Sequence, residues 1–122
     1  MADSRRVKKY ADSIKRSVSE ILEFKVTDHR KGFVTVTKVR MSPDLRLASI
    51  YYTVLGDDGQ RQATANVLKN SKAFIKNELK PAISSRWLPE LRFFYDDAWE
   101  EAERIEELLR KISNDSGSDE QN

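Results

Sequence analysis

The sequence predicts a single α+β domain in which helices pack on one face of a three-stranded sheet. Stretches with apolar residues at helical spacing alternate with shorter β-branched stretches, in the order helix, strand, strand, helix–kink–helix, strand, helix. The 122 residues, 39% hydrophobic and 34% charged, suffice for one hydrophobic core beneath a heavily charged surface. We expect residues 1–112 to fold as this domain. The acidic segment 113–122 has nothing to bury, so we expect it to be a disordered tail.

The first element is a helix over about residues 3–23, because its apolar residues recur at spacings of three and four. These residues are Val7, Tyr10, Ala11, Ile14, Val18, Ile21 and Leu22. The basic residues lie mostly outside this apolar stripe and are Arg5, Arg6, Lys8, Lys9, Lys15 and Arg16. The helix is therefore expected to present one face to a core and a basic face to solvent or a partner.

A β-hairpin follows the first helix. Residues 33–41 (FVTVTKVRM) and 47–55 (LASIYYTVL) are rich in β-branched residues and predict two strands. The intervening Ser42-Pro43-Asp44 has the chemistry of a turn. In the second strand, Ala48, Ile50, Tyr52 and Val54 share one face, while Ser49, Tyr51 and Thr53 share the other.

The second half returns to a helical pattern at residue 60, after the strand-breaking residues 56–59. The apolar register slips at Ser71-Lys72-Ala73, which predicts two helices meeting at a kink over residues 60–83. Pro81 strains or ends the second of them. Residues 91–95 (LRFFY) predict a third strand, and Asp96 or Asp97 caps a last helix. The apolar stripe of that helix is Trp99, Ala102, Ile105, Leu108, Leu109 and Ile112.

The residue inventory argues against an enzyme. The chain has no cysteine and only one histidine, His29, which leaves neither a disulfide framework nor a zinc cluster. It also lacks the glycine motifs of nucleotide-binding loops. Asp96, Asp97 and Glu100 could hold Mg²⁺ in a metal-dependent enzyme, but acids at a helix start are also favoured by the helix dipole. We expect no catalytic residue, no metal and no cofactor.

The chain also lacks the segments that would target it to a membrane. No apolar run approaches the roughly 20 residues that span a bilayer, and the N-terminus has no apolar signal-peptide core. We therefore expect a cytoplasmic protein without a membrane partner.

The distribution of charge fits a polyanionic partner, and it fits equally well two ordinary solvated surfaces that attract each other. Residues 1–92 contain 19 Lys and Arg against 10 Asp and Glu, whereas residues 93–122 contain 3 against 10. Lys69, Lys72, Lys76 and Lys80 recur at helical spacing and could neutralise successive phosphates. On spacing alone, the same row fits equally well a solvated lysine face opposite the core.

Four runs resemble one family in their order and spacing. They are residues 39–48 (VRMSPDLRLA), residues 68–79, residues 88–93 (LPELRF) and the Ile-x-x-Leu-Leu of residues 105–109. Together they resemble bacterial ribosome-binding factor A over roughly residues 4–112. The resemblance implies a type II KH fold and a non-enzymatic protein of ribosome biogenesis.

The resemblance also implies the partners and the role. Proteins of this family bind the small (30S) ribosomal subunit and its 16S rRNA during late maturation and rRNA processing, and support growth in the cold. We expect a monomer whose further partners are ribosomal proteins or other assembly factors. The candidate RNA contacts are Arg5, Arg6, Lys8, Lys9, Lys15, Arg16, Arg30, Lys31, Arg46, Lys69, Lys72, Lys76, Lys80 and Arg86. Tyr51 lies on the strand face that we expect to be less buried and could stack on a base. The alternatives are that it packs under the helices or is partly exposed without a ligand.

One motif departs from the family pattern. An ordinary KH domain clamps single strands with a Gly-x-x-Gly loop; this family has an Ala-x-Gly kink instead, and Ser71-Lys72-Ala73 stands at that position here. The alternative to an RNA-binding assembly factor is a KH-like protein-interaction domain whose basic face meets an acidic protein. RNA binding that falls steeply with salt separates the two.

Overall fold

The computed structural model describes residues 4–83 and 88–120. In order along the chain, its helices and strands are α1 (Ser4–Phe24), β1 (Val34–Met41), β2 (Leu47–Val54), α2 (Asp58–Glu78), β3 (Glu90–Tyr95) and α3 (Ala98–Glu120). Short 3₁₀ turns at His29–Lys31 and Lys80–Ala82 follow α1 and α2. The predicted α+β class and the order of the elements are confirmed.

The three strands form one sheet with β2 in the centre. β1 and β2 pair antiparallel across the turn at residues 42–46, as the hairpin prediction requires. β3 pairs parallel with β2, so α2 serves as the crossover between them. The third strand therefore extends the sheet on the side opposite β1.

The core lies on one face of the sheet, beneath α1 and α2. Alternate residues of β2 face it, and Ala48 and Ile50 are fully buried there together with Leu91 of β3. α1 contributes its predicted stripe from Ala11 to Leu22, and α2 contributes Val67, Leu68, Ile75 and Leu79. Each Val, Leu or Ile side chain among them stabilises the fold by about 1.5–3 kcal/mol when fully buried.

α2 corrects one feature of the prediction. It is one uninterrupted α-helix through Ser71-Lys72-Ala73, whereas the sequence predicts two helices that meet there. Its apolar stripe runs from Leu68 to Ile75 through the half-buried Ser71, so the slip in hydrophobic register does not interrupt the backbone. Alanine at residue 73 also favours helix by about 1 kcal/mol over glycine. A bend of the helix axis at these residues stays a prediction.

α3 differs from expectation in its surroundings. Ile105, Leu108, Leu109 and Ile112 lie on a common stripe, yet each is at least half exposed. The helix also continues through Glu120, into the segment where the sequence predicts a disordered tail. The Trp99 side chain lies outside the described part of the chain. Helical spacing therefore predicted the helix and its apolar face, whereas the expected packing of that face against the domain is absent among the described residues.

Candidate nucleic-acid interface

The basic face of α1 is open to solvent over most of its length. Five of its six predicted cations are exposed, and Lys15 is half-buried. Arg6 and Lys9 stand at a cleft of about 250 Å³ between α1 and the segment that follows α2, where Tyr10 and Ile83 also line the wall. The Tyr10 hydroxyl is buried there without a hydrogen-bond partner among the described residues.

The lysine row of α2 is partly organised by an acid on β3. Lys72 Nζ lies 3.5 Å from one carboxylate oxygen of Glu90, and Lys76 Nζ lies 3.6 Å from the other. Lys69 and Lys80 are exposed at either end of the row. Ion pairs as exposed as these contribute roughly 0–1 kcal/mol to stability. Glu90 therefore orients the two ammonium groups without immobilising them.

The turn between β1 and β2 places a third cation, Arg46, beside Glu90. The Ser42 hydroxyl donates to Asp44 Oδ1 at 2.6 Å and accepts from the Leu47 amide at 2.9 Å. The hydrogen bond from Ser42 is the main cause of the lowered pKa of Asp44. The carbonyl of Arg46 accepts from the Glu90 amide at 2.7 Å, which ties the turn to the start of β3.

A shallow depression lined by Arg46, Lys76, Leu88 and Glu90 follows from this arrangement. Arg46, Lys72 and Lys76 thus converge around Glu90 from two elements that are distant in sequence. We call Arg46, Lys72 and Lys76 the basic cluster.

The loop after α1 uses its predicted cations internally. Arg30 makes two side-chain bonds to Asp28, from Nε at 3.0 Å and from Nη2 at 2.8 Å. These bonds from Arg30 lower the pKa of Asp28 to about 2. Lys31 Nζ donates to the carbonyls of Leu22 and Val26, which satisfies the C-terminal end of α1. Both side chains therefore stabilise the fold locally.

Of the remaining predicted contacts, Arg86 lies outside the described residues. The predicted contacts within those residues fall into three places: the α1 face, the α2 row with the basic cluster, and the loop after α1. The structure brings Arg46 together with two lysines of the row, which spacing in the sequence does not reveal.

The acids near α3 are engaged as structural groups. The Thr37 hydroxyl donates to Asp96 at 2.5 Å and the Ala98 amide donates to the same carboxylate at 3.0 Å. The hydrogen bond from Thr37 is the main cause of the lowered pKa of Asp96. Glu100 pairs with Arg61. Within residues 4–83 and 88–120, no three His, Cys, Asp or Glu side chains are grouped to hold a metal, and none of the helices contains an apolar stretch that could span a bilayer.

Three cations on the sheet, the half-buried Lys38 and the exposed Arg40 and Arg92, were not among the predicted contacts. Lys38, Arg40 and Arg92 lie on the face that the helices leave open, beside Tyr51 and Phe94. The alternation of β3 could have revealed Arg92 and Phe94. Lys38 and Arg40 could not be assigned to this face from alternation, because a bulge in β1 shifts the register.

Comparison with known proteins identifies the family. A sequence profile of ribosome-binding factor A matches residues 6–109. Ribosome-binding factor A of Thermobifida fusca is 44% identical over 111 residues, which cover 91% of this chain and 74% of the relative. The resemblance inferred from the sequence motifs is therefore confirmed.

Solved structures agree with the fold. The crystal structure of ribosome-binding factor A from Thermus thermophilus superimposes with a TM-score of 0.65 at 22% identity, covering 73% of this chain and 94% of the other. A homology model of the T. thermophilus protein, fitted into the cryo-EM map of a 30S complex, has a TM-score of 0.56 at 26% identity. That match covers 71% of this chain and 91% of the fitted one. The expected KH-like fold is thus confirmed.

Proposed function

The chain belongs to the ribosome-binding factor A family, and from this premise we propose that it is a non-enzymatic ribosome assembly factor. It binds the small (30S) ribosomal subunit and its 16S rRNA in the cytoplasm during late maturation, rRNA processing and adaptation to cold. The observation that carries the proposal is the similarity to a protein fitted into the map of a 30S complex. The two exposed basic surfaces of the chain supply the matching chemistry.

Electrostatic docking on folded RNA is the proposed mechanism. The exposed cations of α1 and the basic cluster neutralise phosphates, and each neutralised phosphate releases counterions, which makes binding salt-sensitive. Such contacts fix position and orientation on the RNA but do not read bases. Glu90 draws Lys72 and Lys76 to within 3.5 and 3.6 Å of its two oxygens, so both ammonium groups lie at one place on the surface in the free chain.

The two cations of the loop after α1, Arg30 and Lys31, are not assigned to RNA contacts. Lys31 is held by backbone carbonyls and Arg30 by Asp28, so the RNA contacts are assigned to α1, the α2 row and Arg46. The folded unit is proposed to be residues 1–112, acting as a monomer. Residues 113–122 add negative charge that repels non-specific RNA. Ribosomal proteins or other assembly factors are its further partners.

Co-sedimentation tests this function. The full chain is centrifuged with purified small subunits, large subunits and immature small-subunit particles across a series of salt concentrations. The variant carries Lys72→Glu, Lys76→Glu and Lys80→Glu. The matched control carries the same charge change at three exposed cations of α3, namely Arg104→Glu, Arg110→Glu and Lys111→Glu.

Selective, salt-sensitive binding to small-subunit particles that the α2 variant loses and the α3 control retains supports both the function and the surface. Selective binding that survives the α2 variant keeps the function and moves the contact to α1. Absence of selective binding at every salt concentration contradicts the function and favours an acidic protein as the partner of the basic face.

A further inference from the structure

The sheet has a second face that no helix covers in the described structure. Cross-strand pairing places Lys38, Tyr51 and Phe94 in one row across the three strands. The next row contains Arg40, Ser49 and Arg92. Adjacent strands lie about 4.8 Å apart, and rows two residues apart are separated by about 7 Å. Three cations and two aromatic rings therefore occupy one compact patch, which we call the open sheet face.

A β-bulge creates the basic edge of this patch. The pairing of β1 with β2 shifts between Val36 and Lys38, so Thr37 is an extra residue in β1. Without it, strict alternation would place Lys38 on the same face as the buried Val36. The bulge reverses this alternation and directs Lys38 and Arg40 outward, while Val39 and Met41 turn toward the core.

The two rings already form a stacked pair. The centroids of Tyr51 and Phe94 lie 5.4 Å apart with an interplanar angle of 29°. Lys38 Nζ lies 4.5 Å from the centroid of Tyr51. Phe94, on the edge strand, keeps 42% of its surface exposed. An exposed ring beside a stacked neighbour is the kind of platform on which an unpaired base stacks.

α3 starts on the other side of the sheet and leaves this patch uncovered. Glu100 pairs with Arg61, whose guanidinium carbon lies 4.3 Å from the ring of Tyr95. Tyr95 packs against the helix-covered core. Every described side chain of α3 from Glu101 to Asn114 is exposed. No side chain of α3 in the described part of the chain therefore lies across Tyr51 and Phe94.

The charges around the rings point to a polyanion. Asp96 accepts bonds from Thr37 and Ala98 and keeps its negative charge near Lys38, whereas Glu90 is paired with two lysines of α2. The three cations outnumber the one acid that is not paired with a cation elsewhere, so the patch stays positive. Burying Lys38, Arg40 and Arg92 under an apolar protein surface would strip three cations of water without compensation. A strand of RNA instead supplies phosphates for the cations and base faces for the rings.

We propose that the open sheet face binds a single-stranded segment of RNA, with an unpaired base stacked on the Phe94–Tyr51 pair. Lys38, Arg40 and Arg92 contact the flanking phosphates. This proposal rests on the function above and adds to it a contact to unpaired bases. The basic cluster and α1 hold folded RNA through its backbone, whereas this face senses whether a segment is unpaired.

The test uses the full chain and a seven-nucleotide uridine RNA with 2-aminopurine at its centre, whose fluorescence falls when the base stacks. Tyr51→Leu and Phe94→Leu remove an aromatic face while keeping an apolar side chain. Phe24→Leu is the matched control, because Phe24 is an exposed ring at the end of α1. Loss of one stacking contact weakens binding by about tenfold.

The expected result is quenching on binding, about tenfold weaker affinity for each sheet variant, and unchanged affinity for the Phe24 control. A heptamer of the same length without its bases should bind the wild-type chain more weakly by a similar factor. Equal affinity for the base-free heptamer, or unchanged affinity of both sheet variants, overturns the proposal. The base-free comparison needs no variant, so the test holds even if a substitution prevents folding.

The assembly function and RNA binding by the open sheet face can be refuted independently of each other. A chain that co-sediments with small subunits but does not quench 2-aminopurine contradicts only the role of the open sheet face. Quenching without association to any ribosomal particle contradicts only the assembly function. Replacing both Arg40 and Arg92 by Gln should weaken binding to the normal and the base-free heptamer equally, because phosphates are present in both.

Discussion

α1 and α3 are both amphipathic helices, yet their apolar stripes meet different environments. Ile14 of α1 is 1% exposed and Val18 is fully buried against the sheet and α2. On α3, Leu108 is 54% exposed and Leu109 is 60% exposed. α1 is also rich in cations, whereas α3 is rich in acids. An apolar stripe therefore identifies a helix without determining whether that stripe contributes to the stability of the domain.

The largest expected loss of stability follows from truncating a buried side chain of α1. Ile14→Ala should lower the free energy of unfolding by about 2–5 kcal/mol, because it leaves a cavity among packed side chains. Chemical denaturation followed by circular dichroism measures the change. A loss of less than about 1 kcal/mol would contradict the assignment of this stripe to the core.

A smaller effect is expected in the middle of α2. Ala73→Gly should lower the free energy of unfolding by about 1 kcal/mol, because an exposed interior helical glycine has greater conformational freedom when unfolded. The same denaturation assay measures it, with Ala73→Ser as the control of intermediate cost. If Ala73→Gly leaves the stability unchanged, residue 73 is not in a regular helix and the predicted kink regains support.

The loop between α1 and β1 should make the stability of the chain depend on pH in the acid range. The pKa of Asp28 is lowered from 3.8 to about 2 in the folded chain, chiefly by its bond from Arg30. A lowered folded-state pKa means that this stabilisation is present above the unfolded value and is lost as pH falls through the folded value. Stability should therefore decline between about pH 4 and pH 2, and Asp28→Asn should reduce that decline.

Denaturation at a series of pH values measures this slope. Asp119→Asn changes an acid far along the chain and is the matched control. An identical slope in the Asp28 variant would mean that the bond to Arg30 does not persist in solution.

The smallest expected change in stability follows from truncating an exposed side chain of α3. Leu109→Ala should change the free energy of unfolding by no more than about 0.5 kcal/mol, because an exposed side chain loses little contact on truncation. Circular dichroism should show the same helix content as the wild-type chain. A loss of about 2 kcal/mol would indicate that the stripe of α3 is covered in solution and would remove the contrast with α1.

The sequence predicted the elements that periodicity encodes. Alternation in β2 placed Ala48 and Ile50 on one face and Tyr51 on the opposite face, as the structure has them, because side chains of a strand must point to opposite faces. The stripe of α1 was likewise assigned correctly, from Ala11 to Leu22. These features follow from local geometry alone.

The features that the sequence did not reveal depend on contacts between distant residues. The bulge at Thr37 adds one residue without any hydrophobic signal, so the outward position of Lys38 and Arg40 could not be read from alternation. The meeting of Arg46, Lys72 and Glu90 requires the parallel pairing of β3 with β2. Lys31 was predicted to contact RNA because its charge is visible in the sequence, whereas the carbonyls that hold it are not.

The salt dependence of binding to immature small subunits shows whether the basic cluster contacts ribosomal RNA. The slope of log K against log salt is compared for the wild-type chain, for Lys72→Gln with Lys76→Gln, and for Arg104→Gln with Arg110→Gln on α3. If the basic cluster contacts RNA phosphates, the first pair should reduce the magnitude of the slope by about two and the α3 pair should leave it unchanged. An unchanged slope in the Lys72 and Lys76 variant would contradict the claim that this surface binds the ribosomal RNA.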